Sequence, residues 1–285
     1  MRRCPVCQSY PTSVSHFHEI AYLHCKMCGL VYRETPEDPQ ERERYYRDLN
    51  PAAAVEVSKQ ELYGAVLDKA EQLMNATGRK GTGYTLLDVG AGTGSFMRFA
   101  SRQGWDVCGV DPVPDQTEQP AGTDLSIHSG TLPDLSSTFS EFDLITYWDV
   151  MMYIDDPVHE MNLAFQRLRK GGLIYLRVRN HPVIRAMEKV WAATKFLHGW
   201  SNPAVYHPYN YSPGSMRTLA TYIGAHHDLN NGRLTRGDAY GVGRGGRAID
   251  TAKRLVERFT DGLHILSAGT WIVSPTLDVW LWKEN

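Results

Sequence analysis

The stretch Leu86-Leu87-Asp88-Val89-Gly90-Ala91-Gly92-Thr93-Gly94 decides the fold. An apolar run leads straight into alternating glycines, and helix formers follow from Ser95 until Gly104 stops them. Glycine permits a tight turn between strand and helix, and lets a ligand approach where a Cβ would collide. Outward from this turn the rhythm repeats. Residues 106–110 read as a second strand ending at Asp111-Pro112, 125–128 as a third, 142–147 as a fourth and 173–178 as a fifth. Before the fifth, Asp156-Pro157 starts a helix with Val158, Met161, Phe165 and Leu168 as its apolar stripe, and Gly171-Gly172 reads as its stop. Further helices are expected over 182–197 and 212–224 and around Ile249 to Phe259, with strands at 226–235 and 276–282. Alternating strands and helices predict an α/β, Rossmann-like doubly wound fold around a mostly parallel seven-stranded sheet.

The bulk numbers fit that expectation. The 285 residues are 42% hydrophobic and 22% charged, enough for one large α/β domain and a small appendage. A formal net charge of -2 gives no global basic field of the kind that marks nucleic-acid binders. There is neither an apolar segment of signal-peptide length at the start nor a run approaching the ~20 residues of a membrane span. A cytoplasmic protein without a membrane partner is expected.

Four of the five cysteines form two Cys-x-x-Cys pairs, Cys4/Cys7 and Cys25/Cys28, with 17 residues between them. A two-residue gap lets both thiolates of a pair face one ion, and four thiolates close a tetrahedral zinc shell. Such a shell has no open position, so this zinc is expected to be structural. The alternative is four free thiols or a redox pair. His16, His18 and His24 are alternative ligands or surface histidines, and Cys108 reads as a buried apolar thiol. The chain then divides into a zinc ribbon at 1–33, a helical linker or cap at 34–83, and a catalytic domain at 84–285 with an aromatic lid insertion at about 181–211.

Asp111 lies 21 residues after Gly90, where a carboxylate can accept both hydroxyls of a ribose. The dinucleotide fingerprint Gly-x-Gly-x-x-Gly is not met, because the glycines fall at 90, 92 and 94 and position 95 is serine. With Asp88 two residues before the first glycine, the segment resembles the Asp/Glu-x-Gly-x-Gly-x-Gly motif of class I S-adenosylmethionine-dependent methyltransferases. Residues 142–150 resemble that family's fourth-strand segment, and Leu168 to Gly172 its turn before the fifth strand. The resemblance covers about 84–180. It implies S-adenosylmethionine as cofactor, its amino-acid part held around Asp88, Gly90, Ala91, Gly92 and Gly94 and its ribose by Asp111. It places Thr131 and Leu132 near the adenine, although the family residue at Thr131 is commonly acidic. Trp148 packs on the cofactor in this reading, or simply in the core. The family's frequent His-bearing run after strand four is replaced here by Met151-Met152-Tyr153.

Ligands of open α/β folds sit at the carboxyl ends of the strands. His181 and His207 are the candidate general bases, because imidazole titrates near neutrality; structural histidines are the alternative. Arg179, Tyr206, Tyr209 and Tyr211 are candidate substrate-binding residues, with Trp200 completing an aromatic lid. Tyr45 and Tyr46 could close over the cofactor, and Arg244 and Arg247 could meet phosphate; solvated or helix-face roles are the alternatives. No Asn/Asp-Pro-Pro-Tyr run or Pro-Cys nucleophile appears, which disfavours methylation of nucleic-acid bases. The leading expectation is C- or O-methylation of a small-molecule acceptor, in natural-product or sugar metabolism. An RNA methyltransferase docking through the ribbon is the alternative, and a non-catalytic scaffold a third.

Overall fold

The computed structural model of the chain describes residues 2–17, 19–38, 52–76, 83–113, 125–136, 139, 141–194, 206–234 and 246–283. Three short strands open it: β1 (Ser13–Phe17), β2 (Ile20–His24) and β3 (Val31–Arg33). The helix α1 (Ala52–Ala76) follows. The central region runs β4 (Thr85–Val89), α2 (Ser95–Arg102), β5 (Asp106–Asp111), β6 (Ser126–Ser129), β7 (Phe142–Trp148), α3 (Pro157–Gln166) and β8 (Leu168–Arg179). Then come α4 (His181–Thr194), β9 (Tyr209–Asn210), α5 (Pro213–Tyr222), β10 (His226–Asn231), α6 (Gly246–Leu266) and β11 (Thr276–Trp282).

Seven strands form one sheet in the order β10-β11-β8-β7-β4-β5-β6. The block from β8 to β6 is parallel, while β11 at one side pairs antiparallel with both β8 and the edge strand β10. Both faces are covered, so residues alternate between two cores. Leu86, Leu144, Leu173, Tyr175 and Trp280 meet Leu62, Val66 and Ala70 of α1 and Phe96 and Ala100 of α2. Leu87, Val89, Ile145, Tyr147, Ile174 and Leu176 share the other core with Met161 and Ala164 of α3, Met216 and Leu219 of α5, and Ile223 just after it. No described helix is long and apolar enough to cross a membrane.

The Gly171-Gly172 pair does not stop a helix. Helix α3 ends at Gln166, and the glycines lie inside β8. There the register against β7 jumps from Phe142↔Leu168 to Leu144↔Leu173, and Gly171 takes a φ of 78° in the irregularity. A left-handed residue inside a strand serves a bulge as well as it serves a helix end, so the sequence signal was ambiguous.

The second sheet, β1-β2-β3-β9, joins the cysteine-bearing ribbon to the main chain. Val31 pairs with Asn210 and Tyr32 with Tyr209. Part of the stretch expected as a lid is therefore a strand of the ribbon sheet. Buried Cys4, Val6, Leu23, Leu30 and Tyr32 continue the core that contains Tyr209, Tyr211 and Met216. His18, Tyr45, Tyr46, Trp200 and Arg244 lie outside the described residues, as does the side chain of Arg247.

Candidate functional site

The strand order reverses at β4, whose neighbours are β7 and β5. At such a switch point the loops leaving adjacent strands diverge and open a crevice. The glycine turn leaves β4 here, with φ of 73° at Gly90, 52° at Gly92 and 71° at Gly94. The glycines do different work. A Cβ on Gly90 would lie 2.3 Å from Val150 Cγ2, so Gly90 lets the loop after β7 close against the turn. A Cβ on Gly92 would meet nothing within 4 Å among the described residues, so that face is open to a ligand with respect to them. The Asp111 carboxylate accepts from Gly92 N–H and from Val113 N–H, both at 2.8 Å. It braces the turn with two of its lone pairs and keeps others for ribose hydroxyls.

Asp88 is 2% exposed at the end of β4 and accepts a 2.7 Å hydrogen bond from the Thr146 hydroxyl. Burial, reinforced by the nearby Asp111 charge, pushes its pKa up to about 7, against the hydrogen bond and Lys59. A cationic ammonium beside it would restore the carboxylate. Lys59 on α1 feels Asp149 and Asp88, while burial lowers its pKa. Asp149 follows β7 in a left-handed conformation, φ 59°, and lies 3.9 Å from the buried Arg177 guanidinium. Lys59, Asp149 and Arg177 were not picked out from sequence. Only a lysine on an otherwise ordinary helix and a carboxylate just past a strand end could have pointed to them.

Trp148 packs edge-on against Tyr63 at 5.0 Å and beside Phe96 and Tyr175, and its buried indole N–H has no hydrogen-bond partner among the described residues. Leu132 points into the core, and its carbonyl accepts from Arg167. Thr131 is exposed, and its hydroxyl donates to Asp134 at 2.6 Å. Asp134 is exposed beside it, as are Pro133 and Ser136.

One strand over, the end of β8 and the short helical turn Met151–Tyr153 enclose a second feature. Met152, Arg179, His181, His207, Tyr209 and Tyr211 line a recess of about 260 Å³ counting its open mouth. Five of the residues expected on the acceptor side are gathered here. Tyr206 is not among them: its ring stacks on Phe17 at 4.1 Å and meets His181 edge-on at 5.5 Å. Burial lowers both histidines to about 4, helped by Arg185 at His181 and by Arg179 at His207. The His207 Nδ1 is paired with the Tyr153 hydroxyl at 2.9 Å, while buried His207 Nε2, Arg179 Nε and Tyr211 Oη have no partner among the described residues.

At the ribbon, the four Sγ atoms lie within 4.8 Å of one another, with Cys4–Cys28 at 3.5 Å and Cys7–Cys25 at 3.4 Å. All four cysteines are free of disulfides. Thiolates around a tetrahedral zinc at ~2.3 Å would be ~3.8 Å apart, so the donor set fits that ion. The residue after each pair is left-handed, Gln8 at φ 59° and Gly29 at φ 80°, which makes two matching knuckles. Only the glycine announced this turn in the sequence. His24 is not drawn in; its Nε2 bonds Ser15 Oγ at 2.6 Å. The ribbon is tied to the region of the recess directly: Arg2 donates to the Tyr209 hydroxyl at 2.7 Å, and Ser212 Oγ to the Cys28 carbonyl at 3.3 Å.

Comparison with known proteins agrees with this geometry. Residues 37–224 match the family model described as a methyltransferase domain. A ubiquinone biosynthesis O-methyltransferase of Cereibacter sphaeroides is 29% identical over 132 residues, 42% of this chain and 53% of that one. One from a Methylobacterium species is 25% identical over 124 residues, 41% of this chain and 49% of that one. The chain spans about half the length of these curated relatives. A solved structure of the plantazolicin methyltransferase BpumL, in complex with a triazolic desmethylPZN analogue and SAH, shares the fold. The TM-score is 0.51 and the identity 15%, over 87% of this chain and 92% of that one. The chain belongs to the methyltransferase domain family and has the fold of the class I S-adenosylmethionine-dependent enzymes.

Proposed function

We propose that this chain transfers a methyl group from S-adenosylmethionine to a small-molecule acceptor, by O-methylation in the first instance. The observation that carries the reading is the pairing, at one sheet edge, of the Gly90–Gly94 turn braced by Asp111 with the recess beside Arg179 and Met152. When bound, the cofactor supplies an already activated methyl on a sulfonium, so the protein's task is alignment and exclusion of water. Gly92 offers the open face, Asp111 the ribose acceptors and Asp88 a carboxylate for the ammonium, with Trp148 walling the site. Thr131 and Leu132 are the proposed adenine neighbours, Leu132 through its backbone. Arg179, His207, Tyr209 and Tyr211 form the acceptor side, with His181 and Tyr206 packed behind. Cys4, Cys7, Cys25 and Cys28 hold a structural zinc that fixes the ribbon against Tyr209. The O-methyltransferase relatives and the plantazolicin enzyme support a small or peptide-like acceptor.

Docking of RNA gains no support. The ribbon's Arg2 donates inward to Tyr209, Arg33 pairs with Glu37 at 3.3 Å, and Arg3 donates to Tyr10, so these cations form no open stripe. Calorimetry with S-adenosylmethionine and, separately, NAD tests the reading. Binding of the former alone is expected; binding of NAD alone would replace the reading with a dehydrogenase.

A further inference from the structure

Resting on that reading, we infer that the recess between β8 and β9 takes its acceptor as an oxyanion, held by Arg179, His207 and Tyr211, so that no protein base is needed. Three residues that line one recess, Arg179, His207 and Tyr211, each carry a buried polar atom, Nε, Nε2 and Oη, that lacks a partner among the described residues. Leaving such atoms unmade is costly, and a ligand oxygen that satisfies them together removes the cost. Arg179 Nε–H and the Tyr211 hydroxyl are donors. His207 becomes the third when the Tyr153 hydroxyl donates to Nδ1, because the ring proton then sits on Nε2.

The charges around the recess point the same way. Burial and the Arg179 charge keep the His207 imidazole neutral, Asp149 opposing them. Neutral imidazole beside a guanidinium is a poor base but a sound donor to an anion. Arg185 adds positive charge on the His181 side. An ammonium-bearing acceptor would have to enter against Arg179, and His181 and His207, both lowered to about 4, are too weak as bases to ionise an aliphatic alcohol. Met152, Tyr209 and Tyr211 add apolar surface to the lining of the recess, suited to a flat apolar ring. The shared chemistry is an oxygen acid, either a phenol or enol ionised in place or a carboxylate. The hydroxyl proton leaves to water on ionisation. The oxygen then gains the methyl as the C–S bond breaks, with its electron pair left on sulfur.

The test uses 4-nitrophenol, which is coloured only when ionised, and benzoate, with the full chain, zinc and S-adenosylhomocysteine present. Bound 4-nitrophenol is expected to ionise at a pH lower by about one unit or more than in buffer. Arg179→Met should abolish the shift, Arg179→Lys should keep part of it, and Tyr211→Phe should reduce it. Circular dichroism checks that each variant is folded. A shift in nitrophenol ionisation assigns a phenol or enol, and competition by benzoate without such a shift assigns a carboxylate. Binding of benzylamine or benzyl alcohol in preference to both probes overturns the inference, as does failure of both to bind. Calorimetry with S-adenosylmethionine on the same proteins, before S-adenosylhomocysteine is added, separates the two readings. Loss of S-adenosylmethionine binding would sink the proposed function, whereas intact cofactor binding without an oxyanion effect sinks only this inference.

Discussion

Alanine at Gly90 and alanine at Gly92 should damage the protein in different ways, although the positions are two residues apart and both left-handed. At Gly90 the new Cβ would sit 2.3 Å from Val150 Cγ2, with φ at 73°. The left-handed conformation costs a non-glycine residue roughly 1–2 kcal/mol, and overpacking a tight contact adds about 1–3 kcal/mol. Relief through the unfolded state returns about 0.4–1 kcal/mol. Gly90→Ala should therefore lower unfolding free energy by about 2–4 kcal/mol. At Gly92 nothing among the described residues lies within 4 Å of the new Cβ, so only the backbone contribution remains and the loss should be about 1 kcal/mol. That open face is where the cofactor is proposed to lie, so Gly92→Ala should weaken S-adenosylmethionine at least tenfold, about 1.4 kcal/mol. Urea unfolding reports the first quantity and calorimetry the second. Equal stability losses in the two variants, or wild-type cofactor affinity in Gly92→Ala, would refute the division of labour.

Asp88→Asn should stabilise the cofactor-free protein at high pH. The carboxyl is buried and its pKa rises from 3.8 to about 7, so its contribution is fully present below pH 3.8 and is lost as pH climbs through 7. At about 1.4 kcal/mol per unit, the variant should gain on the order of 2–4 kcal/mol at pH 8 and little at pH 4, read from urea melts at both. Arg167→Met should cost about 3–5 kcal/mol, because one buried guanidinium donates to the carbonyls of Leu132, Leu135, Ser136 and Phe139. Unchanged melting would show that those carbonyls find other partners. Zinc removal with a chelator, or Cys25→Ser, should raise hydrogen exchange across 206–216 along with the ribbon, since β9 is a strand of the ribbon sheet, while 85–90 stays protected. Protection of 206–216 in the metal-free protein would contradict that coupling. Asp111→Ala should weaken S-adenosylmethionine without unfolding the chain, measured by calorimetry and circular dichroism together.

Local chemistry made much of this protein legible before any coordinates. Left-handed glycines after an apolar strand, Asp111 at the end of the next strand and paired cysteines at two-residue spacing are short-range patterns, each enforced by sterics or ligand geometry within a few residues. They fixed the strand-turn-helix rhythm, the site of the β4 turn and the grouping of the four thiols. Gly171-Gly172 misled because the same backbone freedom serves a helix end and a bulge, and only the register of β8 against β7 distinguishes them. What sequence could not supply was convergence across distance. Tyr209 reads as one more aromatic in a loop, yet it closes the ribbon sheet against Tyr32, 177 positions earlier. Lys59 reads as a helix-surface lysine until α1 packs its cation toward Asp88 and Asp149. His207 reads as a base until tertiary burial and Arg179 strip its basicity and leave Nε2 facing a recess. Desolvation and long-range pairing are properties of the packed chain, so the recess proposed for the acceptor was decided by tertiary structure, while the glycine turn was already written in nine consecutive residues.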